Sequence, residues 1–481
     1  MKNYPLGYFS IICIFTLIGA HCVISHASWY IFLGYISSII VFVKICKIKL
    51  CSQHFIYGLG FSFICLINLF NKLDIPQQSS WLKGRFYFKK IFRTNIGRIG
   101  GIGTLVSGKK SYPIYIHTVA STPYPKLDLN TTYYFSGRIT PLKNPFFTSQ
   151  NFSFYLWSRN IKYHTTQVYL KALPQKQLTF LQRCRIYFYK ALTTKNNLQS
   201  NIFRAILMGK KEDLSKEQIQ HFFYTGTMHL FAVSGLHVGV VSTFIFFLCK
   251  LLCLPKILRL IFTGIGVCFY ATIVGFSPST LRATLMVLFI LSAQLCSRPA
   301  DIKGALFNTV GITLLLNPFE LWDVGFQLSY GVVACILCVG IPITAVLKHA
   351  NYNPNSWRDN CLISFFASLM SCLFSVYYWG IFSPWVFIAN LFLIPLASLI
   401  VILGVIAWAS LCLPILHTLI ISIASSCLTL LIKSVEWIEK LPGIFCNLSF
   451  PSYLFLFILF IFFIFISQSK IPFLNHPQKF N

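Results

Sequence analysis

The order of apolar and polar positions divides the chain into membrane-spanning parts and a soluble part. Three apolar runs open the sequence, at about residues 7–24, 28–43 and 54–71. A helix needs about 20 apolar residues to cross the hydrocarbon core of a bilayer, and these runs approach or reach that length. The pattern therefore predicts three transmembrane helices within residues 1–73.

Residues 74–178 have a different pattern, in which the hydrophobic runs shorten to the length of β-strands. Segments 84–88, 115–119 and 132–138 are rich in aromatic and β-branched residues, and glycines and prolines separate them. Such short runs with turn residues between them are typical of all-β domains. We expect a small all-β domain here, built as a five-stranded barrel.

Helical periodicity returns after residue 178. Residues 179–227 carry short amphipathic stretches, which predict helices at the membrane interface. Residues 228–470 consist mainly of long apolar runs, and residues 471–481 predict a short tail. The predicted spans of this part are 228–249, 259–275, 280–297, 303–317, 324–346, 360–380, a proline-broken stretch over 384–413, 416–433 and 452–468.

These runs add up to about 12 spans, so the sequence predicts a polytopic α-helical membrane protein with a β domain inserted after the third span. The composition agrees, because 56% of the residues are hydrophobic and only 11% are charged. Soluble proteins carry about 25% charged residues. Disordered chains, collagen-like repeats and small disulfide-rich scaffolds are excluded on the same grounds.

The charge of the chain is strongly positive and unevenly placed. There are 40 Lys and Arg against 11 Asp and Glu, a net charge of +29, and +17 of it lies between Lys72 and Lys190. Such an excess indicates an anionic partner, either lipid headgroups or nucleic acid. The loop with Lys44, Lys47 and Lys49 is predicted to be cytoplasmic, which places both termini in the cytoplasm and the basic β domain outside.

Cysteine and histidine positions predict neither a metal site nor a cofactor. The 17 cysteines lie mostly in apolar runs, where cysteine behaves as a small hydrophobe. No Cys/His cluster has the spacing of a zinc site, and the sequence has no Walker-type phosphate loop. Any motor is therefore expected to be a separate protein or the proton gradient.

Several polar residues lie inside or at the ends of the predicted spans. An ionisable group in the middle of a bilayer costs about 2.5–3.5 kcal/mol on insertion scales, so such residues commonly line a cavity or pair with one another. The candidates for a polar channel or pathway are His229, Ser234, His237, Ser279, Arg282, Asp323 and Gln327.

Structural roles remain open for the same residues. The histidines can be interfacial, and Arg282 with Asp323 can form an ion pair that fixes the register of two helices. Ser234 and His237 can also be a nucleophile and a base, although the Gly-x-Ser-x-Gly motif and an orienting third residue are absent. We predict no catalytic residue and expect that the chain is not an enzyme.

Three stretches, in a fixed order, resemble the competence domain of the ComEC family of DNA-uptake channels. They are 229–239 (HLFAVSGLHVG), 275–283 (GFSPSTLRA) and 317–330 (NPFELWDVGFQLSY). Upstream, the stretch that begins at Asn144 is similar to the end of that family's external OB-like domain. Further matches are the pairs and short runs Arg298–Asp301, Ser383–Pro384, Asn390–Leu391 and Ile394–Pro395.

The resemblance implies a channel in the inner membrane of a bacterium that binds incoming DNA and passes a single strand into the cytoplasm during natural transformation. It implies a competence-type channel domain over residues 228–470 and an OB-like fold for residues 74–178. Separate DNA receptor, nuclease and cytoplasmic motor proteins would be partners, besides membrane lipids, and a homo-oligomer is open. Many members carry a C-terminal metallo-β-lactamase-like domain, but this sequence has no His-x-His-x-Asp-His motif, so we expect that domain to be lacking.

The external domain is expected to hold DNA through its basic residues. Lysine and arginine side chains neutralise phosphates, and aromatic rings can stack on unpaired bases as in OB folds. The phosphate candidates are Lys89, Lys90, Arg93, Lys109 and Lys110. Aromatic residues lie among them, most of which core packing is expected to claim: Phe86, Tyr87, Phe88, Phe92, Tyr112, Tyr115, Tyr133 and Tyr134.

Two other functions fit the same sequence. A transporter or flippase for an anionic lipid or metabolite would use the basic domain to dock on headgroups, and it would bind acidic vesicles in preference to DNA. An intramembrane hydrolase would need Ser234 and His237, and Ser234→Ala would then abolish turnover while leaving assembly intact.

Overall fold

The fold is described from a computed structural model. Apart from residue 64, the residues that it describes are 79–93, 99–108, 110–117, 131–142, 155–157, 159–165, 168–173, 180–194, 197–299, 301–344, 356–443 and 446–447. The three predicted N-terminal spans, the predicted span 452–468 and the predicted tail lie outside the described residues and stay predictions.

Six strands form the β domain, and all of them belong to one sheet. The strands are β1 (Ser80–Arg93), β2 (Ile99–Ser107), β3 (Lys110–His117), β4 (Thr132–Pro141), β5 (Tyr163–Thr165) and β6 (Val168–Ala172).

The sheet closes on itself into a barrel. β1 pairs antiparallel with both β2 and β4, β3 pairs with β2 and runs parallel to β5, and β5 pairs with β4. β6 continues along β4 from β5, so the two short strands act as one side of the barrel. The ring order β1-β2-β3-β5-β4 is that of an OB fold, which confirms the predicted five-stranded, OB-like barrel.

Alternation of side chains builds the core of the barrel. Along β4, Tyr133, Phe135 and Ile139 are buried whereas Tyr134 and Arg138 are exposed, as the period of two in a strand requires. The wall is tight at Gly103, where an added Cβ would lie 2.2 Å from the ring of Phe86. Closure of so small a barrel therefore depends on glycine at that position.

Eleven helices follow within the described residues. Short 3₁₀ turns connect several of them. The helices are α1 (Phe180–Ala191), α2 (Asn197–Met208), α3 (Lys216–Tyr224), α4 (Gly235–Leu251), α5 (Lys256–Val274), α6 (Pro278–Leu295), α7 (Ile302–Leu316), α8 (Val324–Cys335), α9 (Ser356–Trp379), α10 (Val386–Ala409) and α11 (Pro414–Glu439).

Six of these helices are long and apolar enough to cross a membrane by length and composition. They are α5, α6, α8, α9, α10 and α11, with α8 continuing through a π-helical turn to Thr344. α4 and α7 are apolar but shorter, at 17 and 15 residues. The described part thus has the composition of a multipass membrane protein, while the total of about 12 spans stays a prediction.

The stretch predicted to be broken by prolines is one continuous helix. α10 runs for 24 residues through Pro395, so the predicted break is wrong. Proline is tolerated inside membrane helices because neighbouring groups satisfy the freed carbonyl. Pro414 instead lies at the first position of α11, where its missing N–H costs nothing.

The main helical core lies between α2, α10 and α11. Phe203 and Leu207 of α2 are fully buried, and an added Cβ on Gly404 of α10 would lie 2.5 Å from Leu207. Such close approach of helices through glycine is common in membrane bundles. Although its sequence is amphipathic, α2 is therefore packed inside the bundle.

Candidate functional site

A buried guanidinium lies at the centre of the polar residues of the helical domain. Arg282 is in the second turn of α6, whose N-cap Ser277 accepts a hydrogen bond from the backbone N–H of Thr280 at 3.3 Å. The Arg282 residue is 2% exposed. Its Nη2 donates to the carbonyl oxygen of Gly325 in the first turn of α8, at 2.8 Å.

Two aromatic rings of α8 also hold this guanidinium. The Cζ of Arg282 lies 5.7 Å from the ring centroid of Phe326 and 5.4 Å from that of Tyr330. A cation over an aromatic face is stabilised by the ring quadrupole, more strongly when water is excluded. The Tyr330 hydroxyl and the Thr313 Oγ1 of α7 are 3.1 Å apart, so the site extends across three helices.

Glu320 is the carboxylate that faces Arg282. It lies in the 3₁₀ turn Pro318–Trp322 between α7 and α8, and its Oε2 is 3.6 Å from Nη1 of Arg282. An ion pair of Arg282 with Asp323 was one of the alternatives left open by the sequence; in the structure the direct ion pair of Arg282 is with Glu320 instead. Glu320 carried no signal of its own, because a single acid in a loop reads as a solvated residue.

Burial and the neighbouring Asp323 charge raise the pKa of Glu320 above the ordinary value for glutamate. The charge of Arg282 opposes this shift only partly, because burial is the larger effect. Neither Nη1 nor Nε of Arg282 has a hydrogen-bond partner among the described residues, and neither has Oε2 of Glu320. The pair is therefore an electrostatic contact with unused hydrogen-bonding capacity.

Asp323 fixes the start of α8 and binds a second arginine. Its Oδ1 accepts a hydrogen bond from the backbone N–H of Phe326 at 3.1 Å, which caps the helix. Its Oδ2 is 3.4 Å from Nη1 of Arg159, a residue of the segment between β4 and β5. The charge cluster, which we define as Arg159, Arg282, Glu320 and Asp323, thus contains two cations and two carboxylates.

The segment around Arg159 joins the barrel to the helices. The guanidinium of Arg159 lies 3.7 Å from the ring centroid of Tyr155. Next to it, Trp157 is 2% exposed and packs against Phe319, with ring centroids 5.7 Å apart. Leu156 packs on the barrel side with Ile102. We call residues 155–157 and 159–161 the junction segment, because together they contact both domains.

Gln327 connects α8 to its neighbours. Its Nε2 donates to the carbonyl oxygen of Leu321 at 2.8 Å, and its Oε1 accepts a hydrogen bond from the hydroxyl of Tyr378 on α9. Gln327 therefore uses both ends of its amide in packing contacts.

Ser234 and His237 lie at the start of α4, where they form a capping box. The His237 Nδ1 accepts a hydrogen bond from the backbone N–H of Ser234 at 3.3 Å and lies 3.0 Å from the Ser234 Oγ. The buried Nε2 of His237 has no hydrogen-bond partner among the described residues. No carboxylate orients this imidazole there, so the third member of a catalytic triad is missing from the described contacts.

Ser279 connects the start of α6, which carries Arg282, to the start of α4, which carries Ser234 and His237. Its Oγ donates to the carbonyl oxygen of Val233 at 2.8 Å, which ties the start of α6 to the turn before α4. His229 is exposed, with its Nδ1 3.2 Å from the carbonyl oxygen of Gly226. The first turns of α4, α6 and α8 therefore lie near one another, with Arg282 between the last two.

The barrel residues expected to bind DNA are only partly described. Lys110 is exposed at the start of β3. Lys89, Lys90 and Arg93 lie in β1 but their side chains are outside the described residues, as is Lys109 altogether.

The expectation that the core claims most of the aromatic residues agrees with five of the seven whose side chains are described; the side chain of Phe92 lies outside the described residues. Phe86, Phe88 and Tyr133 are buried, and Tyr112 and Tyr115 pack partly buried against the core, whereas Tyr134 is exposed. Trp81 and Tyr169, which are each 60% exposed, were not among the residues predicted from the sequence. Alternation along β1 and β6 was the signal that could have found them, because both occupy outward positions.

The helical part of the chain matches one protein family. A family model described as competence protein matches residues 206–471, more than half of the chain. No solved structure has significant similarity to the chain.

Similar proteins occur in several bacteria. The chain is 25% identical over 395 residues to ComE operon protein 3 of Bacillus subtilis, covering 76% of this chain and 48% of that protein. It is 31% identical over 146 residues to recombination protein 2 of Haemophilus influenzae, covering 28% and 18%. It is 31% identical over 149 residues to competence protein ComA of Neisseria gonorrhoeae, covering 29% and 21%. The chain thus spans less than half the length of these relatives.

Proposed function

Because the chain belongs to the competence protein family, we propose that it is a membrane channel that binds incoming DNA and passes a single strand into the cytoplasm during natural transformation. The observation that supports this most is the charge cluster, which joins a basic OB-like barrel to a bundle of membrane-capable helices. A buried arginine is costly in a membrane protein, and such residues usually mark an ion or substrate path.

Within the charge cluster, Arg282 supplies the donors that suit a polyanion. Arg282 presents Nε and Nη1 without hydrogen-bond acceptors among the described residues. Helix N-termini carry partial positive charge and expose backbone N–H groups, and those of α4, α6 and α8 lie near one another. Phosphates that pass beside Arg282 would exchange water for these donors, which lowers the barrier of a hydrocarbon core to negative charge.

The same proposal gives each part of the chain a place. The barrel, within residues 74–178, lies outside the cytoplasmic membrane and holds DNA through its positive charge, while three N-terminal helices lie within residues 1–73. Residues 179–227 connect the barrel to the channel domain, and both termini are cytoplasmic. A separate DNA receptor and nuclease would act with the channel, and so would a separate cytoplasmic motor, because this sequence has no Walker-type loop.

The test is DNA uptake in cells that lack this protein. Labelled DNA in the cytoplasm is measured after complementation with the wild type, with Arg282→Ala or with Lys250→Ala, which removes an exposed cation in the last turn of α4. We expect uptake to be lost without the protein and with Arg282→Ala, and to be retained with Lys250→Ala at equal membrane levels. Normal uptake in the deletion strain would contradict the proposal and favour transport of an anionic lipid or metabolite.

A further inference from the structure

One outward face of the barrel carries alternating aromatic and basic side chains. The register of β1, β4 and β6 places Arg85 beside Tyr134, and Tyr134 beside Lys171. The next row contains Lys83, Ser136 and Tyr169, and the third row pairs Trp81 with Arg138. We call these eight residues the β1–β4–β6 face.

The aromatic rings of this face are open to solvent. Trp81 and Tyr169 are 60% exposed and Tyr134 is 37% exposed, whereas residues that alternate with them, such as Phe135 and Leu170, are buried in the barrel. Tryptophan and tyrosine are usually well buried, so three exposed rings on one sheet face are a candidate for ligand binding.

The charge of the face has one sign. Lys83, Arg85, Arg138 and Lys171 contribute four positive charges, and no carboxylate occurs among the eight residues. Residues 74–178 contain only two acids in all, Asp74 and Asp128. The ligand of this face is therefore expected to be anionic.

The face also has the shape of a shallow binding surface. A depression of about 400 Å³ is lined by Trp81, Lys83, Tyr134, Ser136, Val168 and Tyr169. Neighbouring strands lie about 4.8 Å apart and successive rows about 6.7 Å apart, which puts the Cα atoms of Tyr134 and Tyr169 about 8 Å apart. Trp81 on β1 and Tyr169 on β6 lie one row apart, and Tyr134 lies on the strand between them, so the three rings form a triangle on which two or three bases can stack.

We propose that the β1–β4–β6 face is a stacking platform for two or three unpaired bases of single-stranded DNA, whose phosphates bind the four flanking cations. This inference rests on the proposed DNA-uptake function and gives it a binding surface. Aromatic and basic residues also occur where proteins meet a membrane, but there they accompany a broad apolar surface that enters the lipid. Here the one aliphatic residue lining the depression is Val168.

The test measures binding of the full-length protein in nanodiscs to two fluorescent oligonucleotides. One is a 12-nucleotide oligothymidine, and the other is an abasic strand with the same number of phosphates. Each stacked base contributes to the free energy of binding, so Trp81→Ala or Tyr169→Ala should weaken oligothymidine binding about five-fold to one-hundred-fold. Binding of the abasic strand should change less than two-fold, since the phosphates are unaltered.

Matched variants separate stacking from loss of fold. Tyr169→Phe keeps the ring and should retain binding, and Tyr187→Ala removes an equally exposed tyrosine of α1 and should have no effect. Lys83→Ala should weaken the binding of both oligonucleotides. It should also lower the magnitude of the slope of log affinity against log salt concentration by about 0.7, the value for one phosphate contact on a single strand.

Other results overturn the inference. Equal weakening of both oligonucleotides by Tyr169→Ala would show that the ring does not stack on bases. Oligothymidine binding that is unchanged in Trp81→Ala and Tyr169→Ala would place the DNA site elsewhere and leave the proposed function standing. If those variants instead lose binding to phosphatidylglycerol vesicles, the face is a membrane contact. The proposed function would be contradicted as well by two results together: wild-type protein that binds neither oligonucleotide, and normal DNA import by cells that lack the protein.

Discussion

At position 282, a guanidinium is buried between the start of α6 and the first turns of α8, held by a backbone carbonyl and two rings. Its importance could be predicted from the sequence, because a lone arginine inside an apolar run is costly unless it has partners. Its partner could not, since Glu320 is 38 positions away and only the packing of α6 against the turn before α8 brings the two together. Proximity of this kind leaves no local pattern in a sequence.

Glu320 makes the stability of the protein depend on pH in a defined direction. Burial raises the pKa of its carboxyl above 4.5, so the folded state binds a proton that the unfolded state has lost. The contribution of Glu320 to stability is therefore greatest at a pH below its pKa in the unfolded state. It falls as the pH rises through the higher pKa of the folded state. Glu320→Gln keeps the shape of the side chain without the titration.

Thermal unfolding in detergent at a series of pH values measures this effect. As the pH rises from 4.5, we expect the wild type to lose Tm relative to Glu320→Gln until the carboxyl of the folded protein is fully ionised. Glu217→Gln, which changes an exposed carboxyl of α3, serves as the control and should follow the wild type. A wild type that gains stability over Glu320→Gln across this range would show that the Arg282 contact outweighs burial.

At the scale of elements, the junction segment decides how the barrel is attached. The sequence predicts the strands of the barrel well, because short runs and turn residues repeat with the period of a sheet. It does not predict that the junction segment also packs on the helical domain, because Trp157 contacts Phe319, which lies far from it in the sequence. The continuous α10 was missed for a related reason: a proline such as Pro395 commonly breaks a helix in water, but it is tolerated inside a membrane helix, where neighbouring groups can satisfy the backbone carbonyl that it frees.

The burial of Trp157 predicts a large effect on stability. Trp157→Ala leaves a cavity among Phe319, Leu306 and Val310, and truncation of a buried tryptophan costs about 3–5 kcal/mol. We therefore expect a clear drop in Tm, measured by thermal unfolding of the full-length protein in detergent.

An exposed tryptophan provides the control for this variant. Trp437 of α11 is 63% exposed, and Trp437→Ala should change the free energy of unfolding by less than about 0.5 kcal/mol. Equal effects of Trp157→Ala and Trp437→Ala would contradict the packing of the junction segment on the helices.

At the scale of the whole molecule, charge and hydropathy are separated along the chain. The segment from Lys72 to Lys190, which contains the barrel, carries +17 of the net charge of +29, while the helices of the channel domain are mainly apolar. This division was evident from composition alone, as was the class of the fold. The connection between the barrel and the helices was not evident from composition. It depends on which charged side chains meet in space, Arg159 with Asp323 and Arg282 with Glu320.

The central claim is that the DNA strand passes beside the charge cluster. Photocrosslinking tests it most directly, with a photoreactive amino acid at Val324, the first residue of α8 and the neighbour of Asp323, and at Ile265, a 60% exposed residue of the membrane-capable helix α5. Cells taking up labelled DNA are irradiated, and DNA bound covalently to the protein is measured. We expect a crosslink from position 324 and none from position 265. A crosslink from position 265 alone, or from neither position while uptake proceeds, would contradict a route beside Arg282.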